Sequence, residues 1–136
     1  AASRIGASLT RRGRNSAIAF ITGQDAEGYA EQDWRALARS NTTFAVYMGV
    51  RAARFLQGRL LLHGRSAGTP VTIAVNVSRP HEMIVHGQLG TLDAVIDEHR
   101  IEGPAIIFVG IAPRVAEFGQ SWKPSVSQDR QPIAVY

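Results

Sequence analysis

The sequence predicts a mixed α/β domain with a sheet of about five strands flanked by helices. Five runs rich in β-branched and other apolar residues end at Gly, Pro or polar turn residues, which is typical of strands. Three intervening stretches carry apolar residues at helical spacing. The chain has 136 residues, of which 45% are hydrophobic and 19% charged, and this is the size and composition of one domain with its own core.

Each predicted strand is an apolar run bounded by turn residues. The strands are expected within residues 16–22, 41–50, 70–77, 82–87 and 104–110. The third and fourth runs are separated by the turn sequence Ser78-Arg79-Pro80-His81, which allows them to pair as an antiparallel hairpin.

The three predicted helices cover residues 33–39, 51–63 and 91–99. Gly64 is expected to end the second helix as a left-handed cap, and Thr91 to cap the start of the third. The residues expected on the buried helix faces are Trp34, Leu37, Ala38, Phe55, Leu56, Leu60, Leu62, Leu92, Val95 and Ile96. The domain is expected to span residues 1–119. Pro, Ser and Gln dominate residues 120–136, which predicts a flexible tail or a docking arm.

Charge and composition limit the possible functions. The net charge of +4 comes from fourteen Arg and a single Lys, and guanidinium groups bind carboxylates and phosphates as planar forks. This skew indicates either an acidic ligand or simply an Arg-rich solvated surface. Nucleic-acid binding is not expected, because the Arg are not interleaved with aromatic residues and no zinc-finger or RNA-recognition motif is present.

Cysteine and histidine usage argues against a metal centre. There is no Cys, and the four His have no paired ligand spacing, so neither a disulfide nor a catalytic metal is expected. No apolar run approaches the roughly 20 residues that span a bilayer, and no secretory leader is recognisable. We therefore expect a soluble, cytoplasmic protein without a membrane partner.

The strand within residues 41–50 is the most informative element. It is a β-branched and aromatic run that ends in Tyr47-Met48-Gly49 and passes directly into a helical pattern. Open α/β sheets bind their ligands at the carboxyl ends of such strands. The sequence therefore predicts a ligand site near Met48, although a Met at a strand end can also simply fill the core.

The order of several short motifs resembles the tetrapyrrole methylases, and within them the uroporphyrinogen-III C-methyltransferases, including the methylase module of siroheme synthase. The resemblance covers roughly residues 3–115. The motifs are Ser8-Leu9-Thr10-Arg11-Arg12, Phe20-Ile21-Thr22-Gly23-Gln24, Asp33-Trp34 with Leu37-Ala38-Arg39, Tyr47-Met48-Gly49, Ser78-Arg79-Pro80, and Pro104-Ala105-Ile106-Ile107-Phe108-Val109-Gly110.

The resemblance implies the carboxyl-terminal lobe of such an enzyme. The Gly-Gly-Asp-Pro loop, the Asp proposed as base and the Thr-Ala pair of the family lie in an earlier lobe, and none is found here. The catalytic residues are therefore expected in that missing lobe, and this chain alone is expected to be inactive. The intact protein would methylate uroporphyrinogen-III with S-adenosylmethionine, for siroheme or cobalamin synthesis. It would be a homodimer by resemblance.

The resemblance also implies site residues. Tyr47, Met48 and Gly49 would contact S-adenosylmethionine. Val77 stands where the family has a cofactor-contacting Gly, which is a departure that could narrow the adenine slot. The other implied residues are Pro104 and Ala105 beside the adenine, and Arg12 toward the carboxylates of the substrate, next to Arg11 in place of the family's His. Arg79 is expected to stabilise its turn rather than to touch substrate.

Three alternatives stay open at this point. A sister methylase acting on a later precorrin would share the motifs. A non-catalytic binding module derived from this fold would fit Val77 and the absent loop. An unrelated Arg-rich regulatory domain would bind an acidic metabolite with no preference for adenosine.

Overall fold

A computed structural model describes residues 1–6, 9, 18–39 and 41–111 of the protein. Along these residues the strands are β1 (Ile18–Thr22), β2 (Gln24–Asp25), β3 (Gly28–Tyr29), β4 (Thr43–Tyr47), β5 (Pro70–Val75), β6 (Met83–Gln88) and β7 (Ala105–Val109). The helices are α1 (Ala2–Ile5), α2 (Trp34–Leu37), α3 (Ala53–Leu62) and α4 (Leu92–Glu98), with a 3₁₀ turn at Leu89–Thr91 before α4.

Five strands form one mixed sheet in the order β1-β4-β7-β5-β6, which confirms the predicted fold class. β1 and β4 run parallel, whereas β7 is antiparallel to both β4 and β5, and β5 and β6 form the predicted antiparallel hairpin. The carboxyl ends of β1, β4 and β5 therefore lie at the same edge of the sheet as the amino end of β7. This edge brings together four segments that are far apart in the sequence.

The two faces of the sheet are covered differently. One face packs against α2, α3 and α4 through a large apolar cluster that includes Phe44, Leu56, Leu60, Ile73 and Ile107. The opposite face carries a smaller cluster of Ile5, Ala45, Ala74, Phe108 and Ile111, to which α1 contributes Ile5. At the β1–β4 side of this second face Phe20 is 60% exposed and Tyr47 45% exposed.

Helix α3 ends as the sequence predicts. Gly64 has φ +93°, the N–H of Gly64 donates to the carbonyl of Leu61 at 3.0 Å, and the N–H of Arg65 donates to the carbonyl of Leu60 at 2.9 Å. This pair of hydrogen bonds is the Schellman motif, which needs a left-handed residue just past the helix. Gly takes that conformation without a Cβ penalty.

Two expectations about the helices are wrong in detail. Leu62 was expected on the buried face of α3 but is 74% exposed. It follows the fully buried Leu60 by two positions, which is about 200° around the helix axis, so it faces away from the core. Thr91 occupies the N-cap position of α4, but its hydroxyl donates to the carbonyl of Gln88 at 3.2 Å. The side chain of Gln57 instead accepts from the N–H of Asp93 at 2.8 Å, so α3 supplies the acceptor that the cap was expected to give.

Three short elements were not predicted from the sequence, and several predicted features lie outside the described residues. The short helix α1 and the two-residue strands β2 and β3 have little periodicity to detect. Arg11, Arg12 and the predicted tail 120–136 lie outside the described residues. Within the ranges that the structure describes, no helix is long and apolar enough to cross a bilayer, and no group of three or more acidic or His side chains is placed to hold a metal ion.

Candidate functional site

A cavity of about 660 Å³ opens at the sheet edge where β1, β4 and β5 end and β7 begins. We call it the edge cavity. Its lining comes from Gln24 after β1, from Tyr47, Met48, Val50 and Arg51 between β4 and α3, from Ala74, Asn76, Val77 and Arg79 at the end of β5, and from Glu102, Gly103, Pro104, Ala105 and Ile106 at the start of β7. Cavities of roughly 300–1,000 Å³ are typical of small-molecule and cofactor sites.

Five of the six predicted cofactor residues line this cavity: Tyr47, Met48, Val77, Pro104 and Ala105. The sixth, Gly49, is buried beneath it. A Cβ on Gly49 would lie 2.9 Å from Cδ1 of Ile107 and 3.0 Å from Cγ1 of Val46, so its lack of a side chain lets the loop rest on the core. The structure thus explains this Gly by packing under the cavity.

Met48 is held on a tight loop at the cavity rim. Its φ is +52°, a left-handed conformation that is uncommon for a residue with a side chain, and the side chain is 60% exposed. The N–H of Gly23 donates to the carbonyl of Tyr47 at 2.7 Å. A Cβ on Gly23 would come within 2.8 Å of the carbonyl oxygen of Met48, so Gly23 permits this close approach of the two loops.

Asn76 fixes the opposite rim. It also has a left-handed backbone, with φ +50°, and its N–H donates to the carbonyl of Pro104 at 2.9 Å. Its carbonyl accepts the N–H of Arg79 at 2.9 Å, which closes the turn after β5. Gly103 passes directly over the Asn76 amide, where a Cβ would lie 2.8 Å from Oδ1. Non-glycine residues with positive φ cluster at binding sites, where the surrounding structure maintains the strain.

The turn after Asn76 is anchored from outside the cavity. Ser78, with φ +61°, donates its N–H to Oε2 of Glu82 at 2.6 Å, and Oε1 of Glu82 lies 3.2 Å from Nε of Arg4 in α1. Val77 is half-buried between these anchors and packs with the second apolar cluster while also lining the cavity. Packing against this cluster therefore holds Val77 in place in the cavity wall.

Three of the described lining residues are charged: Arg51, Arg79 and Glu102. None of the three makes a side-chain hydrogen bond or ion pair with any other described residue. The backbone of Arg79 closes the turn, as expected, and Arg79 is also one of the residues that line the cavity. No His is part of the described lining. His86 bonds instead to Oγ1 of Thr72 at 2.9 Å, and burial lowers its pKa.

Gln24, Arg51, Asn76 and Glu102 also line the cavity but were not predicted as site residues. Each lies in or beside a motif that was singled out. Gln24 ends the motif Phe20–Gln24, Arg51 follows Gly49 by two positions, Asn76 precedes Val77, and Glu102 precedes Pro104 by two positions. Proximity to a motif was therefore the available signal, and the strand order brings these residues to one edge.

The five-stranded sheet, with a cavity over the ends of β1, β4 and β5, defines an α/β domain with space for a small molecule at its sheet edge. A model of the Tetrapyrrole (Corrin/Porphyrin) Methylases matches residues 1–93, so the chain belongs to the tetrapyrrole methylase family. Among curated relatives, the siroheme synthase of Pseudoalteromonas translucida is 40% identical over 77% of this chain, and siroheme synthase 1 of Pectobacterium atrosepticum is 35% identical over 96%. The chain spans 22% and 27% of their respective lengths.

Solved structures agree with this assignment. The uroporphyrin-III C-methyl transferase of Thermus thermophilus, complexed with S-adenyl homocysteine, is 31% identical, with a TM-score of 0.62 over 77% of this chain and 44% of that one. A cobalt precorrin-4 methyltransferase has a TM-score of 0.73 over 80% of this chain and 46% of its own length. At 22% identity this second likeness shows the fold alone.

Proposed function

We propose that this chain is the carboxyl-terminal lobe, residues 1–119, of an S-adenosylmethionine-dependent uroporphyrinogen-III C-methyltransferase of the siroheme synthase type. The observation that carries the proposal is the edge cavity, in which Tyr47, Met48, Val77, Pro104 and Ala105 come from three separate segments. Four of them belong to the motifs that carry the resemblance, and Val77 stands where the family has a Gly. The fold gathers all five around one cavity. The 40% identity to a siroheme synthase favours this activity over that of a sister precorrin methylase.

The cavity lining fits the adenosine part of S-adenosylmethionine. Met48, Val77, Ala105 and Ile106 provide apolar contacts, and a soft thioether such as that of Met48 adapts to a flat aromatic ring. When bound, S-adenosylmethionine supplies an activated methyl group. The role of this chain is then to hold and orient the cofactor, since correct alignment lowers the barrier to methyl transfer.

This lobe forms one wall of the site in the proposal. The acid and base groups belong to the other lobe, so the chain alone binds weakly and does not turn over. Arg12 remains the proposed contact for a carboxylate arm of uroporphyrinogen-III, by resemblance, and a guanidinium fork suits that role. We also place the protein in the cytoplasm. The product of the intact enzyme would serve siroheme synthesis, with cobalamin synthesis as the alternative.

The proposal predicts that S-adenosylhomocysteine binds the edge cavity. Titration into the isotope-labelled chain, followed by amide chemical shifts, is expected to give saturable changes at Met48, Asn76 and Ala105. Met48→Ala is expected to weaken binding about fivefold, because the adenosine loses apolar contact. Val77→Gly is expected to strengthen it, since the isopropyl group occupies part of the cavity wall.

Leu62→Ala is the matched control for these variants. Leu62 is exposed like Met48 but lies at the far end of α3, so its removal is expected to leave the affinity unchanged. Shift changes scattered away from the cavity, or equal affinities for the wild type and Met48→Ala, would contradict the assignment of the cofactor site.

We also propose that the chain self-associates as a homodimer. Phe20, Tyr47 and Met48 expose apolar surface together at one end of the second sheet face, with the rings of Phe20 and Tyr47 6.4 Å apart. Uncovered apolar patches tend to be buried by association. Sedimentation equilibrium is expected to show a dimer that Phe20→Ser weakens by about tenfold or more. A monomer at 100 μM would exclude the dimer for this lobe.

A further inference from the structure

We propose that Arg51 and Arg79 act together as a carboxylate-binding pair at the rim of the edge cavity. The inference rests on the proposed function and deepens it, because it names the chemical group that this rim recognises. The resemblance of the sequence pointed to Arg12 for this chemistry and to neither of these two residues.

The fold places the two arginines on opposite sides of one opening. Arg51 follows β4 and Arg79 follows β5, and β7 lies between these strands in the sheet. Their anchoring strands are thus two strand spacings apart, about 10 Å. Both residues line the cavity, together with Pro104 and Ala105 at the start of β7. A ligand seated over β7 would meet one guanidinium on each side.

Both guanidinium groups are free to bind a ligand. Other arginines of the described region have partners: Arg4 lies 3.2 Å from the carboxylate of Glu82, Arg59 stacks on the ring of Phe55, and Arg65 is buried among carbonyl oxygens. Arg51 and Arg79 are exposed and have no such partner among the described residues. Exposed arginines such as Arg54 also lack a partner but do not line the cavity.

The lining favours an anion despite the presence of one carboxylate. Among the described lining residues, Arg51 and Arg79 with Glu102 give a net positive charge. Guanidinium binds carboxylates with two parallel N–H donors, and this gives direction as well as attraction. Glu102 repels an anion in the same space. Its removal should therefore raise the affinity for a carboxylate, whereas removal of either arginine should lower it.

Two ligands of this site carry carboxylates. One is the amino-acid end of S-adenosylmethionine, and the other is an acetate or propionate arm of the tetrapyrrole. The two can be separated with three probes: S-adenosylhomocysteine, 5′-methylthioadenosine, which lacks the amino-acid end, and uroporphyrin III, which keeps the acidic arms. Affinities are measured by calorimetry or fluorescence for the wild type, Arg51→Gln, Arg79→Gln, Glu102→Gln and Arg54→Gln, with melting temperatures recorded for each variant.

Each arginine variant is expected to weaken binding of the carboxylate probe about three- to tenfold, the size of a charge-assisted contact at a partly exposed site. Glu102→Gln is expected to strengthen it about two- to threefold. Arg54→Gln, which makes the same charge change outside the cavity, is expected to have little effect. Because these groups are exposed, the difference between wild type and the arginine variants should shrink as salt rises above 0.15 M, where screening acts within about 8 Å.

The probes assign the source of the carboxylate. A loss confined to S-adenosylhomocysteine, with 5′-methylthioadenosine unchanged, identifies the amino-acid end. A loss for uroporphyrin III identifies the tetrapyrrole arms. If the nucleosides fail to bind but uroporphyrin III binds through the two arginines, the cofactor proposal fails and the carboxylate pair stands. If no carboxylate probe binds, or if Arg54→Gln weakens binding as much as the other two arginine variants, the pair is rejected.

Discussion

Replacement of Arg65 by Met is expected to lower the free energy of unfolding by about 3 kcal/mol. Arg65 is only 5% exposed, and its guanidinium donates to the carbonyl of Leu37 at 3.2 Å, to the carbonyl of Arg39, and to Oγ1 of Thr69 at 3.2 Å. Each buried acceptor left without a donor costs about 1–3 kcal/mol. Part of this cost is offset, because the variant no longer buries a charged group.

Arg65 owes its position to carbonyl oxygens at the end of α2, because no carboxylate of the described residues forms an ion pair with it. Burial lowers the pKa of its guanidinium, yet arginine stays protonated at neutral pH. Urea unfolding of Arg65→Met measures the effect, with Arg54→Met as the control for an exposed arginine. Arg65→Lys should recover only part of the loss, since an ammonium lacks the fork. A loss of unfolding free energy below about 1 kcal/mol would contradict this prediction, since it would mean that water satisfies the carbonyl oxygens in place of the guanidinium.

Gly23→Ala is expected to cost about 2–3 kcal/mol of stability and to weaken S-adenosylhomocysteine binding as well. The added Cβ would lie 2.8 Å from the carbonyl oxygen of Met48, 2.9 Å from Cα of Gly49 and 3.1 Å from Cβ of Ala52. Two of these atoms are backbone, so the crowding can only be relieved by moving the loop that carries Met48. Overpacking of this kind typically costs 1–3 kcal/mol.

Gly58→Ala is the matched control for this change. Gly58 lies within α3, and an added Cβ there meets nothing within 4 Å. The same substitution should therefore stabilise the protein by up to about 1 kcal/mol, because Ala favours the helix. Unfolding curves and ligand titrations of both variants separate the two effects. If Gly23→Ala bound S-adenosylhomocysteine like wild type, the loop would tolerate displacement and would not position Met48.

The elements of this fold were predictable where local signals are strong. The runs that end in Thr22, Tyr47 and Val75 have β-branched side chains and turn residues after them, and each is a strand of the main sheet. Gly64 could be predicted as a cap because its requirement for a positive φ is local. By contrast, the burial of Arg65 depends on the end of α2, whose carbonyl groups surround it. The exposure of Leu62 could have been predicted, because a residue two positions from the buried Leu60 lies on the other side of the helix.

The candidate site was predictable in part for the same reason. Tyr47-Met48-Gly49 and Pro104-Ala105 stand out as short motifs, and the strand order then gathers them. The only sequence signal for Asn76 is its place before Val77, since its left-handed backbone and its hydrogen bond to Pro104 depend on β7 lying beside β5. Glu102 enters the cavity for the same topological reason. Arrangement of the strands, rather than composition of any one of them, determines the full lining.

The position of β7 also bears on how the protein folds during synthesis. β1 with β4, and β5 with β6, are pairs that form between strands already present when residues before 100 have emerged. β7 is the last strand of the sheet in the sequence, yet it lies in the centre and joins the two pairs. Joining distant segments is slow because the loop entropy is lost before the contacts form. We therefore expect the two rims of the edge cavity to belong to separate folding units until β7 inserts, so that the cavity is completed late in folding.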